Sequence, residues 1–314
     1  MNPPLINVND YLHPDGWVSG ADSLSRALWY CQQLEHGQIL LFSDLPFFLP
    51  EEDIDFLISL RPGDSRIHKN ISYRPECDVL RGFSSRRAED TSLMRDVMRR
   101  YSAQVTRFLT HFLPPYAAEW SLDFASFRPL EEEARHLPLH KRNDLLHVDA
   151  FPSRPTIGGR ILRVFTNINL SKPRIWNTTD GFDTLARRFA SDAGLEQTAA
   201  RASSLLGLFR RSVTHLIGSM GLMIAERSAY DQFMLRFHDY LKENSDFQDH
   251  CTKIRLEFPP QATWIVFTDA VPHAALSGQF ALEHTYILPT KALLLPEKAP
   301  ISVLESLCGQ SLSI

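Results

Sequence analysis

Apolar residues recur at three- and four-residue intervals in some stretches of the chain and alternate with polar ones in others. Residues 21–35 place Leu24, Ala27, Leu28 and Cys31 on one stripe, which predicts a helix closed by Gly37. Gln38–Phe42 reads as a short strand and Pro46–Pro50 as a loop. Pro50 and an acidic first turn announce a helix over Glu51–Leu60. Residues 90–113 predict a long amphipathic helix, with Leu93, Val97, Tyr101, Val105, Phe108 and Phe112 on its face and Pro114-Pro115 at its end.

Strand character dominates from about Leu145 to Trp176 and helical character over 183–249. Strands return at Ile254–Phe258, Thr263–Phe267 and Phe280–Leu288. Helices followed by a β unit that is itself interrupted by helices predict an α+β protein. The pattern suits a double-stranded β-helix (jelly-roll) core with N-terminal helices and a helical insertion. The expected organisation is one domain over 1–314. Its N-terminal α/β part is about 1–140, its β core about 141–180 and 251–290, and its helical insertion about 183–249.

Composition narrows the class. With 44% hydrophobic and 22% charged residues the chain reads as globular, and 314 residues are ample for a buried core. A formal net charge of −4 gives no basic excess for nucleic acid. The four cysteines are scattered without CxxC spacing, so free thiols in a reducing compartment are expected. Met1–Trp17 is polar and Pro-rich with no signal-like apolar stretch. No apolar run reaches the ~18–20 residues that span a bilayer. A cytoplasmic location is the expectation.

The chemistry centres on His147-Val148-Asp149. At a strand end, residues i and i+2 point to one side, so an imidazole and a carboxylate at this spacing can face one metal. A second match, His13-Pro14-Asp15, lies in a Pro/Gly loop without flanking strands and is set aside. After His147 come the turn residues Gly158-Gly159 and a strand from Arg160. Its alternation puts Arg163, Phe165 and Asn167 on one face and Leu162, Val164 and Ile168 on the other. Much later, an apolar strand from Trp264 runs into Pro272-His273, followed by the turn Ser277-Gly278 and a final strand. Two histidines and one carboxylate on a common face leave three coordination positions open, as non-haem Fe(II) oxygenases require.

That order of motifs resembles the Fe(II)/2-oxoglutarate oxygenase superfamily. The blocks His68-Lys-Asn-Ile-Ser-Tyr73, Leu80-Arg-Gly-Phe83, Arg163-Val-Phe-Thr-Asn-Ile-Asn169, Pro173-Arg-Ile-Trp176 and Leu276–Thr285 resemble, more narrowly, the hydroxylases of Kdo (3-deoxy-D-manno-octulosonic acid), the inner-core sugar of lipopolysaccharide. The resemblance runs from about residue 25 to about residue 290. It implies Fe(II) on His147, Asp149 and His273, with 2-oxoglutarate and O2 as co-substrates. It also implies hydroxylation at C3 of Kdo in a lipid A or lipopolysaccharide precursor, giving the sugar Ko.

The distal carboxylate of 2-oxoglutarate needs a cation. The strand where many members of the superfamily supply it reads Leu282-Glu-His-Thr285 here, with no Arg or Lys and Thr285 as a polar candidate. Arg163 is the expected replacement, with Asn167 beside it and Arg160 and Arg174 in reserve for either co-substrate or acidic substrate. His68, Lys69, Asn70, Tyr73 and Arg81 are candidates for the sugar, or else a solvated loop. His215, His238 and His250 read as surface or packing residues.

Two other readings stay open at this level. One is an oxygenase of the same chemistry acting on a protein or small metabolite; the other is a non-enzymic jelly-roll sugar-binding module. The insertion is also open to two readings. Leu205, Phe209, Val213, Leu216, Met220 and Ile224 form a helical stripe near Arg187, Arg188, Arg201, Arg210 and Arg211. The stripe either packs on the barrel or rests peripherally on the cytoplasmic face of an anionic inner membrane.

Overall fold

The protein is described by a computed structural model over residues 4–8, 21–60, 65–85, 87–132, 137–203 and 227–313; at 21–22, 65–69 and 203 only the backbone is described. The stripe from Leu205 to Ile224, with Arg210, Arg211 and His215, lies outside these residues, as does His13-Pro14-Asp15.

Two sheets face each other. The larger is built from β1 (Leu5–Asn7), β2 (Ile39–Phe42), β3 (Ser65–Arg74), β4 (Val79–Ser85), β5 (Ser121–Arg128), β6 (Arg160–Asn167), β9 (Thr263–Phe267) and β11 (Ala281–Leu288), in the order β1-β2-β9-β6-β11-β5-β3-β4. The smaller is β10 (His273–Ser277), β7 (Arg174–Thr178) and β8 (Ile254–Phe258), with β7 in the middle. Apart from the parallel β1–β2 pair, the ladders are antiparallel. This is the expected α+β jelly roll.

Alternation along the central strands explains the two cores. Leu162, Val164, Leu282 and Tyr286 point outward into a core shared with the helix Ala88–Phe112, which buries Met94, Val97, Tyr101, Val105 and Phe108. Leu93, expected on that stripe, is 41% exposed; Met94 and Met98 take the inward positions. Phe165, Trp264, Trp176 and Phe258 point inward and fill the space between the sheets. Trp264 stacks on Phe258 at 3.9 Å and on Phe165 at 5.2 Å between centroids. Two rings of this aromatic cluster, Phe165 and Trp176, also line the cavity that holds the site.

The strand expected from Leu145 breaks down before Arg160. Only His147 bridges to a strand there, because Pro152, Pro155 and the Gly158-Gly159 turn cannot sustain a ladder. Between β7 and β8 lie the helices Phe182–Phe189, Leu195–Ser203, Ala229–Glu243 and Ser245–His250. Two of them start where a side chain caps the first turn: Ser228 Oγ accepts from Asp231 N–H at 3.1 Å and Asn244 Oδ1 from Phe247 N–H at 3.0 Å. Phe182, Leu185, Ala186 and Phe189 are buried, so the first of these helices packs its apolar face inside. Among the described residues no helix is long and apolar enough to cross a membrane. All four cysteines are free thiols.

Candidate metal and co-substrate site

The segment before β6 reaches β10 with two alternating faces. Leu146 and Val148 bury their side chains in the outer core, which turns His147 and Asp149 the other way. His147 and His273 exchange both backbone hydrogen bonds, at 3.2 and 2.9 Å, and Asp149 N–H donates to Thr268 O at 2.8 Å. Pro272, immediately before His273, is held through its carbonyl by Thr178 Oγ1 at 2.7 Å. The result brings His147, Asp149 and His273 together, with one ligand-type atom from each inside a 4.8 Å span.

The protonation pattern suits a cation. His147 Nδ1 lies 2.7 Å from Leu145 O and His273 Nδ1 lies 2.9 Å from Val271 O. A carbonyl can only accept, so each Nδ1 carries the hydrogen and each Nε2 keeps its lone pair. Burial pushes both imidazoles below their ordinary range, His147 further because His273 and His238 are close. Burial is the largest single influence on Asp149 and opposes its charge, but the Arg163 guanidinium together with the neighbouring His273 and His147 outweighs it and holds the carboxyl well below the usual range. The three groups therefore present two neutral imidazoles and one carboxylate.

Around them is a cavity lined by Arg128, Asn143, Phe165, Arg163, Arg174, Trp176 and Ala275 in addition to the three. Its charges interlock. Arg163 Nε is 3.3 Å from Asp149 Oδ2 and its Nη1 is 3.5 Å from Glu283. Arg128 binds Glu283 at 2.6 and 2.8 Å. Arg174 reaches Glu132 at 3.6 Å and donates through Nη1 to Gly278 O at 3.0 Å. Gly278 has φ +124°, and a Cβ there would stand 2.8 Å from Arg174 Cγ, so glycine is what lets this backbone lie against the arginine. Burial, reinforced by Arg128, pushes Arg174 down to about 10.

Four buried atoms of these lining residues have no hydrogen-bond partner among the described residues: Asp149 Oδ2, Arg163 Nε, Arg174 Nε and Trp176 Nε1. Three are donors. Buried donors left unpaired are costly, so the cavity is built to receive oxygens. Trp176 also stacks on His273 at 4.9 Å, so one ring supports a metal-type ligand while its N–H stays available to the cavity.

Other expected residues lie elsewhere. Arg160 is three residues from Arg163, and an odd separation on a strand reverses the face. It is fully buried on the outer side, bound to Asp269 at 2.8 Å and stacked over Phe267. Asn167 is turned away at the strand end, its amide donating to the carbonyls of Lys172, Phe258 and Pro259. Thr285 is in register with Arg163 but is not among the lining side chains. Tyr73 is buried and donates to Asp78 at 2.9 Å, while Asn70 and Arg81 are exposed on the β3–β4 hairpin. His68 and Lys69 lie on β3, with side chains outside the described residues. Sequence reading missed Arg128 and Trp176. Trp176 had a signal, since its i, i+2 spacing from Arg174 on a strand puts both on one face.

A jelly roll with two neutral imidazoles, one carboxylate and unpaired buried donors defines a class: the non-haem Fe(II), 2-oxoglutarate-dependent dioxygenases. Within it, residues 21–311 match the model of the 3-deoxy-D-manno-oct-2-ulosonic acid (Kdo) hydroxylase family, and the chain belongs to that family. Solved structures agree. The apo form of the Kdo hydroxylase KdoO, a non-haem Fe(II) α-ketoglutarate-dependent dioxygenase, aligns at TM-score 0.82 and 33% identity, covering 99% of this chain and 98% of that one. KdoO in complex with α-ketoglutarate and Fe(III) aligns at TM-score 0.81 with 33% identity, covering 99% of this chain and 97% of that one. No curated protein matches the chain. Family membership sets aside the sugar-binding module and the oxygenase of another substrate class.

Proposed function

We propose that this chain hydroxylates C3 of a Kdo residue in a lipid A or lipopolysaccharide precursor, using Fe(II), 2-oxoglutarate and O2, to give Ko. His147 Nε2, His273 Nε2 and an Asp149 oxygen would hold the metal. When bound, iron and the keto-acid together supply the O2 activation and C–H oxidation that no side chain here can perform. The protein's own part is orientation and exclusion of water. The Nδ1–H bonds to Leu145 O and Val271 O fix both imidazole planes. Arg163 steadies the second carboxylate oxygen of Asp149.

We assign the distal carboxylate of 2-oxoglutarate to Arg174, with Trp176 and Arg128 beside it, in place of Arg163. Arg163 Nε is 3.3 Å from Asp149 Oδ2, so its guanidinium sits at a metal ligand, where the near end of the keto-acid belongs. Arg174 is buried, carries an unpaired Nε and lies two residues along β7 from the unpaired Trp176 N–H. The single observation that carries the co-substrate reading is this pair of buried unpaired donors in a cavity that also holds the His/Asp/His face.

The exposed Asn70 and Arg81, with His68 and Lys69, are the groups we assign to outer contacts with the saccharide. A lipid-borne acceptor implies work at the cytoplasmic face of the inner membrane. Exposed Arg187, Arg188 and Arg201 on the insertion support peripheral contact with anionic lipid. The deciding experiment is mass spectrometry of lipopolysaccharide core from cells with and without the protein. The expected result is one added oxygen located on Kdo. An unchanged core with a modified protein or metabolite elsewhere counts against the acceptor.

A further inference from the structure

The metal-ligand segment 146–149 is extended and meets a strand on one side only, through the single bridge from His147 to His273. His147 spends its backbone N–H and C=O on His273. In an antiparallel pair the adjacent residues aim their backbone groups the other way, toward where a second strand would run. Among the described residues no strand pairs with that side; side chains of the insertion's helices Ala229–Glu243 and Ser245–His250 reach it instead.

Side chains from those helices take the strand's place. Gln248 is 8% exposed, and its carboxamide binds both backbone groups of Leu146: Oε1 accepts from Leu146 N–H at 3.0 Å and Nε2 donates to Leu146 O at 2.9 Å. The same Nε2 donates to Leu241 O at 2.7 Å, which locks the amide's orientation, because only the NH2 side can serve two carbonyls. His238 Nδ1 donates to Val148 O at 2.7 Å, and its ring meets that of His147 edge-on at 4.9 Å. The anchors bracket His147 on both sides in sequence.

We propose that Gln248 and His238 are positioning residues for the metal site, acting as a surrogate strand that fixes the backbone of the His147–Asp149 segment; the inference rests on the ligand assignment above. A carboxamide mimics a peptide group, so Gln248 supplies the donor and acceptor pattern of one residue of a paired strand. The spacing of His147 and Asp149 then depends on the insertion as well as on the barrel.

The test measures binding of Co(II) alone by the full-length protein, together with the absorption spectrum of the bound ion. Gln248→Met keeps volume and removes the amide; His238→Phe keeps the ring against His147 and removes the donor. Each is expected to weaken Co(II) binding by about 10–100-fold, as outer-shell losses do, and to change the spectrum at saturating metal. His238→Asn, whose amide N–H stands close to where Nδ1–H stood, is expected to restore most of the affinity. A merely structural role would lower the melting temperature and leave affinity and spectrum alone. Folded variants with Co(II) affinity within twofold of the parent and the parent's spectrum overturn the proposal. Should Gln248→Met not fold, the contrast between His238→Phe and His238→Asn decides. His147→Ala separates the two layers of argument: undiminished Co(II) binding in that variant overturns the ligand assignment itself, whereas its loss alongside unaffected Gln248 and His238 variants overturns only the surrogate strand.

Discussion

Replacing Arg174 by Met tests the co-substrate assignment at its most exposed point. The change removes a buried guanidinium and nearly preserves volume. Hydrogen bonds to charged groups contribute about 1.5–3 kcal/mol each. A carboxylate gripped by two guanidinium nitrogens should lose less than twice that, because Arg128 stays nearby as a second cation. A loss of about 3–4 kcal/mol corresponds to roughly 100–1000-fold in the dissociation constant of 2-oxoglutarate. The assay is anaerobic calorimetric titration of the Co(II)-loaded protein. Pyruvate is the control: it has the keto-acid head and no distal carboxylate, so its binding should change little. Arg174→Lys keeps the charge but not the planar fork and should fall between. The lost bond from the charged guanidinium to Gly278 O lowers stability by about 1.5–3 kcal/mol, which a melt of the metal-free protein reports separately. Refutation is equally concrete: 2-oxoglutarate binding within threefold of the parent in Arg174→Met, with the large loss found in Arg163→Met instead, returns the distal carboxylate to Arg163.

His147→Ala or Asp149→Ala should abolish both metal binding and succinate formation, and metal analysis with product assay checks this; turnover in either purified variant contradicts the ligand assignment. Gly278→Ala puts a Cβ against Arg174 and should raise the 2-oxoglutarate requirement while leaving Co(II) affinity near the parent's, as paired titrations would reveal. His284 is buried against Ser102 Oγ at 2.7 Å and is pushed down from 6.5 to about 4, chiefly by burial. The unfolded chain therefore binds a proton that the fold refuses between those values, so stability falls as pH drops from 6.5 toward 4, by up to about 3 kcal/mol from this residue. Denaturant melts across that window should be flatter for His284→Gln than for the parent. Replacing Arg187, Arg188, Arg201, Arg210 and Arg211 by Gln should release the protein from anionic vesicles with little change in melting temperature; parent protein that never sediments with vesicles removes the membrane reading.

Sequence periodicity served best where one face of an element is buried and the other is not. The helices at residues 21–35 and 88–112 and the strands β8, β9 and β11 appear close to where the pattern puts them. It served worst at the sheet's far edge. β4 buries only Phe83 and exposes Val79, Arg81 and Ser84, so a real strand reads as a solvated loop. β5 buries Ala125, Ser126 and Phe127 in succession because helix covers one face and the cavity the other, which erases alternation and hid Arg128. Within the site, i, i+2 spacing correctly joins His147 to Asp149, while the odd step from Arg163 carries Arg160 to the opposite face.

What sequence could not reveal is that polar side chains on a distant helix become backbone partners. His238 and Gln248 sit among charged neighbours, and nothing in their spacing distinguishes them from a wet surface. Their role appears only once the ligand segment is seen to lack a second strand. The cavity's charge carries a related lesson. Arg128, Arg163 and Arg174 face Asp149, Glu283 and Glu132, so the cluster is balanced before anything binds. A divalent metal and a dicarboxylate also sum to zero. Each binding alone unbalances a low-dielectric site and both together do not, so their affinities should be mutually reinforcing. Co(II) titrated with and without saturating 2-oxoglutarate should show that coupling as a tighter metal constant in its presence. Equal constants would mean that the two charges do not sense one another, and the balance among the arginines and carboxylates would then be incidental to binding.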